Sequence, residues 1–337
     1  MKVLVTGASG FLGVALVERL LARGEKDIRC FLRSGSPRSR LEDLARRYPD
    51  AEVELYVGSL SSKENAARAI EGVSVVYHLA ASLLGAAADI FLNTVVASKH
   101  LVTAVASAGR PIKVVLVSSF GVYGVADLPR GALVDEGTPL ESHPERRDLY
   151  SQAKLRQERL FREVQAGAGF PLVVLRPGVI YGPRGSRVSA RIGLDLMGFF
   201  LYLGGDNRLP LTYVDNCAEA IAVAGQSAAA DGQTYNVVDD DLPTCRQYLD
   251  RYRKEVKPLR VVPIPYPAMR AISVAVQRYH AFSQGQLPAI FTPYKTATSW
   301  GGNRFDNAKL KGLGWKPLVS TEEGIRRAFD EFKANPK

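Results

Sequence analysis

A short β-branched run, Lys2–Thr6, leads straight into Gly7-Ala-Ser-Gly10-Phe-Leu-Gly13, and an apolar-striped helix begins at Phe11. A strand that turns through glycines into a helix returns to its own sheet by a right-handed crossover. The expected architecture is therefore a parallel sheet with helices on its faces. Gly7 permits the tight turn, Gly10 lets backbone amides approach a pyrophosphate, and Gly13 lets the helix pack closely on the sheet. The helix N-terminus then faces the anion. The spacing is G-x-x-G-x-x-G, one residue wider in its first gap than the common dinucleotide fingerprint.

The rest of the N-terminal half repeats that rhythm. Strands are expected at Ile28–Leu32, Val53–Val57, Val73–Leu79, Ile112–Val117 and Leu172–Leu175, with helices at Phe11–Leu21, Ala87–Ala108 and Asp148–Gln165. This is an α/β chain with a doubly wound parallel sheet of the Rossmann type, and its ligand crevice should lie at the carboxyl ends of the strands. After Gly182 the pattern changes. Residues 183–210 read as glycine-rich and irregular; Leu211–Asp215 and Tyr235–Val238 read as short strands around a helix at Ala218–Gly225. A proline-rich connector, Pro258–Pro267, precedes a helical stretch around Met269–Tyr279. Ser320 and Glu323 have the spacing of a capping box for the last helix. The expected organisation is a dinucleotide-binding domain over residues 1–182, with returns from about 211–238, and a smaller, interleaved, mainly substrate-binding domain over 183–337.

Composition narrows the function classes. The chain of 337 residues is 46% apolar and 23% charged, enough for a sizeable core. Its three cysteines, Cys30, Cys217 and Cys245, are scattered and lack metal-ligand spacing, which argues for a reducing compartment and against disulfides or zinc. No apolar run reaches the roughly 20 residues of a membrane span, and a strand starts within two residues of Met1. The expected location is cytoplasmic. The net charge of +10 comes from Lys and Arg spread along the chain without a nucleic-acid motif, so a solvated basic surface is expected rather than a nucleic-acid partner.

Tyr150 and Lys154, in Tyr150-Ser-Gln-Ala-Lys154, lie four apart on an expected helix and so share one face. An ammonium fixed beside a phenol lowers its pKa from about 10 toward working pH, which makes Tyr150 a usable proton donor or acceptor. Together with the glycine loop and Ser118-Ser119, the pair indicates a nicotinamide-dependent oxidoreductase.

With these residues in place, the chain resembles the extended short-chain dehydrogenase/reductases, a family that includes nucleotide-sugar epimerases and dehydratases and 3β-hydroxysteroid dehydrogenases. The resemblance runs over nearly the whole length. It rests on Val3-Leu-Val-Thr-Gly-Ala-Ser-Gly-Phe-Leu-Gly13, His78-Leu-Ala-Ala81, Asn93, Val117-Ser-Ser-Phe-Gly-Val-Tyr-Gly124 and the Tyr150/Lys154 pair. It continues through Leu175-Arg-Pro-Gly-Val-Ile-Tyr-Gly-Pro183, Tyr213-Val-Asp215 and Leu313-Gly-Trp-Lys-Pro317. It implies that Tyr150 is the general acid/base and that Lys154 is its electrostatic partner and a ligand of the nicotinamide ribose. It also implies that Ser119, with Ser118 its nearest competitor, hydrogen-bonds the reacting substrate oxygen. Asn93 would support a proton path to the lysine. Ser9, Phe11 and Leu12 of the loop, Leu60, Ala80, Ala81 and Pro177 would line the cofactor path. His78 is expected to be a packed strand-end residue rather than a base. Members are often dimers, so a homodimer is the default.

The end of the second strand bears on the choice of dinucleotide. An acidic residue there would bind the ribose hydroxyls of NAD, whereas an arginine accommodates the NADP phosphate. The chain reads Leu32-Arg33-Ser34, with Arg38 and Arg40 following and no carboxylate before Glu42. NADP is favoured, with NAD possible. Ser59 stands where the family often has an aspartate for the adenine amino group. For the substrate, Arg208 has the spacing of an arginine that holds a sugar-nucleotide diphosphate. In contrast, Pro263–Pro293 is rich in apolar and aromatic residues, among them Tyr266, Met269, Tyr279, Phe282 and Phe291, which suit either a core or a pocket for an apolar alcohol. The expected activity leans toward a nucleotide-sugar epimerase or dehydratase. The alternatives are an NADP-dependent dehydrogenase or reductase of a ketone, aldehyde or 3β-hydroxysteroid-like alcohol, and a non-catalytic dinucleotide-binding regulator.

Overall fold

The computed structural model describes residues 1–283 and 291–335. In chain order the first half runs β1 (Lys2–Thr6), α1 (Phe11–Ala22), β2 (Asp27–Leu32), α2 (Ser39–Arg47), β3 (Glu52–Val57), α3 (Lys63–Ala69), β4 (Val73–His78), α4 (Ala87–Phe91), α5 (Ala97–Ala106) and β5 (Lys113–Val117). It continues with β6 (Leu133–Val134), α6 (Leu149–Ala168), β7 (Leu172–Pro177) and β8 (Val179–Tyr181). The second half adds β9 (Gly193–Leu196), β10 (Phe199–Tyr202), β11 (Leu211–Tyr213), α7 (Val214–Gln226), β12 (Thr234–Val237), α8 (Cys245–Glu255) and β13 (Val261–Pro263). Last come α9 (Tyr266–Phe282), α10 (Pro293–Trp300), β14 (Arg304–Phe305), α11 (Ala308–Gly312) and α12 (Thr321–Ala334).

Seven strands pair in parallel in the order β12-β7-β5-β4-β1-β2-β3. The period-2 alternation of β1 explains its two-sided burial. Val3 and Val5 join a core with Leu16, Leu20 and Ile221 from α1 and α7, while Leu4 joins the opposite core with Leu101 and Phe161 from α5 and α6. The order in which strands are added reverses at β1, with β2 and β3 on one side and β4 onward on the other, so the loop after β1 opens at the switch point where ligands bind. The smaller sheets are β13-β10-β9, β11-β8 and β14-β6. Among the described residues, no helix is long and apolar enough to cross a membrane, and no cluster of three or more potential metal ligands occurs.

Four elements depart from expectation. Residues 183–210 contain the β9–β10 hairpin, whose tight turn uses positive φ at both Met197 (50°) and Gly198 (82°). The segment expected as one helix over Ala87–Ala108 is interrupted by a π turn at Leu92–Val96 and ends at Ala106. The strand from Leu211 stops at Tyr213, because Val214 already opens α7 and Asp215 sits in its first turn. Only half of the capping box forms at Ser320. Its hydroxyl accepts from the Glu323 amide at 3.3 Å, but the Glu323 carboxylate turns to Arg326 and Arg327.

Candidate active site

A cavity of about 910 Å³ opens along the carboxyl ends of β1, β4, β5 and β7. At one end lies the glycine loop. Gly7 has φ +71°, and a Cβ there would meet the Ala80 backbone at 3.1 Å; a Cβ on Gly13 would lie 2.1 Å from the Gly7 carbonyl. Only glycine fits at Gly13. Gly10 caps α1 without a side-chain hydrogen bond, and the first turn has no acidic residue, so the helix amides are left for an anion. This cradle fits a dinucleotide pyrophosphate. Ser9, Phe11 and Leu12 line it, as do Ser59 and Leu60 after β3, Ala80 and Ala81 after β4, and Pro177 at the end of β7.

Arg33 follows β2, is exposed and lines the cavity, with its guanidinium 3.4 Å from the Asn93 side-chain oxygen. Arg38 and Arg40 lie outside the main cavity; Arg40 sits in a shallow depression beside Arg184. Asn93 lies in the π turn and donates to the Asp89 carbonyl at 2.8 Å. It lines the same cavity as Lys154, but none of its hydrogen bonds reaches the lysine.

The catalytic candidates stand on α6 and the end of β5. Asp148 caps α6 by accepting from the Ser151 amide (2.9 Å) and hydroxyl (2.7 Å), which fixes Tyr150 in the first turn and Lys154 one turn later. Lys154 is buried and its ammonium donates to the Val117 carbonyl at 2.7 Å and to Gln157 Oε1 at 2.8 Å. Burial draws its pKa down to about 7, with Glu158 acting in the opposite direction. The sequence-based expectation of an acidified Tyr150 does not hold here. Burial pushes the phenol up to about 12, against a hydrogen bond from Ser119 and with a contribution from Asp148. The Lys154 hydrogen bonds go to Val117 and Gln157 instead of the phenol, so nothing cationic offsets desolvation.

The two serines separate cleanly. Ser119 continues the extended strand, accepts from the Gly121 amide at 3.1 Å and hydrogen-bonds the Tyr150 phenol. Ser118 points the other way and donates to Glu158 Oε2 at 2.6 Å. Glu158 is itself buried against Arg176 at 2.5 Å, whose guanidinium lies 4.7 Å from the Tyr123 ring centre. His78 is a structural neighbour of the site. It is fully buried between the Thr6 hydroxyl (2.7 Å) and the Ser98 hydroxyl (2.8 Å), and burial, then Lys154, lowers its pKa to about 3. It stays neutral.

The structure does not bring Arg208 into the cavity. That residue is exposed, forms an isolated bridge with Thr244 and donates to the Leu242 carbonyl at 2.6 Å. Four cations that sequence reasoning passed over, Arg147, Arg184, Arg191 and Lys295, line the cavity instead, with Leu194, Phe291 and Trp300 as apolar wall. Of the aromatic stretch over Pro263–Pro293, Phe291 reaches this wall and Met269 packs against Trp300 in a small core. Tyr279 and Phe282 are exposed on α9, and residues 284–290 lie outside the described residues.

Comparison with known proteins agrees with this geometry. The pattern of the NAD dependent epimerase/dehydratase family matches residues 3–237. The chain is 24% identical to a sterol-4-alpha-carboxylate 3-dehydrogenase (decarboxylating) of Mus musculus, over 98% of this chain and 91% of that protein. It is 27% identical to a 3-beta-hydroxysteroid dehydrogenase of Mycolicibacterium neoaurum, again over 98% and 91%. The fold matches the crystal structure of a Thermus thermophilus UDP-glucose 4-epimerase in complex with NAD, with a TM-score of 0.70 at 24% identity over 99% of this chain and 100% of that one. The chain belongs to the NAD dependent epimerase/dehydratase family, as an oxidoreductase of the extended short-chain type that works with a nicotinamide dinucleotide.

Proposed function

We propose that this protein is an NADP-dependent dehydrogenase/reductase that interconverts a secondary alcohol and a ketone on a largely apolar substrate. The observation that carries the reading is the far half of the cavity. Its apolar wall is Leu194, Phe291 and Trp300, beside Arg147, Arg184, Arg191 and Lys295, while Arg208, the residue spaced to hold a sugar-nucleotide diphosphate, faces away. Relatives named for sterol and hydroxysteroid oxidation, aligned over 98% of the chain, support it.

Residues 1–182, with the returns over 211–238, carry the cofactor half, and the remainder of 183–337 supplies the substrate wall. The glycine cradle and the α1 amides bind the pyrophosphate, and Arg33 takes the additional phosphate of NADP. The bound nicotinamide supplies or accepts the hydride. Ser119 orients the substrate oxygen, and Tyr150 holds the proton exchanged with it. A phenol that burial keeps protonated is a donor at neutral pH, which suits carbonyl reduction. In the oxidation direction the Lys154 ammonium would have to leave Val117 and Gln157 and turn to the phenol in order to stabilise the phenolate.

The test is turnover of wild type and Tyr150→Phe with NADP+ and a 3β-hydroxysteroid, beside UDP-glucose, following nicotinamide reduction. Net reduction with the steroid, lowered about 10²-fold or more in the variant with dinucleotide binding retained, is expected. Epimerisation of UDP-glucose without net reduction would replace this reading with the epimerase one, and an active Phe variant would remove Tyr150 from its role.

A further inference from the structure

Arg191 lines the cavity with its backbone clamped and, among the described residues, its charge left open. Its carbonyl accepts from Trp300 Nε1 at 3.1 Å and from Cys245 Sγ at 3.6 Å, and its amide donates to Ser189 Oγ at 3.2 Å. Gly204 leaves room for that carbonyl, since a Cβ there would come within 2.6 Å of it. The residue is thus held by α8 and α10 together. Among the described residues, its half-buried guanidinium has no hydrogen bond and no ion pair.

The neighbouring charges show why this matters. Arg147 is satisfied by Glu141 at 2.9 Å and by the Tyr123 carbonyl at 3.0 Å, so no anion is needed there. The Asp148 carboxylate is occupied by Ser151. Burial and then Arg147 both work against the charge on Arg191, while Asp148 favours it weakly from the cap of the helix that carries Tyr150. A desolvated cation without a counter-ion costs free energy in the folded protein, and a bound anion recovers it.

We infer that Arg191 is a substrate-anion anchor, so that the substrate carries an oxyanion, carboxylate or phosphate, on the apolar body that meets Leu194, Phe291 and Trp300. This deepens the proposed function and rests on it for the apolar body, though not for the anion. Guanidinium recognition of an oxyanion is charge-assisted and can be bidentate, so it selects strongly against the neutral analogue.

Isothermal titration of the NADP+-loaded protein separates the two claims. The probes are decanoate, decyl phosphate, decanol and UDP-glucose, each against wild type, Arg191→Gln and Arg191→Lys. Decanoate or decyl phosphate should bind about ten- to a hundredfold more tightly than decanol, an advantage that Arg191→Gln abolishes with NADP+ affinity unchanged. Which of the two anions gains more identifies the source. Arg191→Lys should keep part of the preference, which also covers a Gln variant that fails to fold. Equal binding of decanol and the anions, or a preference that survives Arg191→Gln, overturns the anchor. UDP-glucose binding that depends on Arg191, with no decyl compound bound, upholds the anchor and removes the apolar-body reading.

Discussion

Lys154 should weaken the cofactor-free protein it serves, and the effect has a calculable pH signature. The ammonium is buried, and its pKa falls from 10.5 to about 7 on folding. At about 1.4 kcal/mol per pH unit, that displacement amounts to about 5 kcal/mol against the folded state when both states are charged. Below about pH 7 the full penalty applies. Between 7 and 10.5 the unfolded chain binds the proton and the folded chain does not, so stability rises with pH; above 10.5 the penalty is gone. Lys154→Met removes the titration but leaves the Val117 carbonyl and the Gln157 amide oxygen without their donor, a roughly pH-independent cost of about 1–3 kcal/mol. The sign of the difference at one pH is therefore not diagnostic, but its slope is. Between pH 6 and 9.5, wild type should gain about 3 kcal/mol on the variant, roughly 4 °C in Tm for a chain of this length. Thermal unfolding of both proteins without dinucleotide measures it. A difference that stays flat within about 0.5 kcal/mol over that range would refute a desolvated lysine.

Ser119→Ala should lower kcat about 10- to 100-fold with little change in unfolding, because the proposed function has its hydroxyl orient the reacting oxygen. Ser118→Ala should do the reverse, costing about 1.5–3 kcal/mol of stability through its lost bond to buried Glu158, with turnover near wild type; parallel denaturation and rate measurements decide the register. Wild type should prefer NADP(H) over NAD(H), and Arg33→Ala should shrink that preference about ten- to a hundredfold in a fluorescence titration of both dinucleotides. Equal wild-type affinities, or an unchanged preference in the Arg33/Arg38/Arg40 triple alanine variant, would leave Arg33 as a surface residue.

The parallel sheet was legible because its strands are apolar runs bounded by glycine and polar turns, and the glycine loop marked its centre. Strand boundaries moved by a residue or two, as at Tyr213, but the helix after it begins at Val214, four residues before the expected Ala218. The β9–β10 hairpin was hidden because a turn with two left-handed residues normally announces itself by Asn-Gly or Asp-Gly, and here Met197 fills the first place. The π turn at Leu92–Val96 leaves helical periodicity nearly intact and so has no sequence signature. Side-chain direction was the hardest to read. Spacing placed Arg208 at the substrate and Lys154 against the phenol, yet both long side chains turn toward carbonyls that the linear sequence does not locate. Arg191 was invisible for the converse reason, since an unpaired charge is a property of what surrounds it in space.

Among the described residues, the β9-β10-β13 sheet shares no backbone ladder with the seven-stranded sheet. The walls that the proposed function gives to substrate and the groups it gives to the proton therefore stand on separate sheets. Substitutions along Leu194, Phe291 or Trp300 can reshape what is admitted without shifting the register that seats Ser119 on β5 or Tyr150 on α6. Diversification can then proceed on one frame while the other is inherited unchanged, and a library confined to that wall samples new substrates against a fixed chemistry.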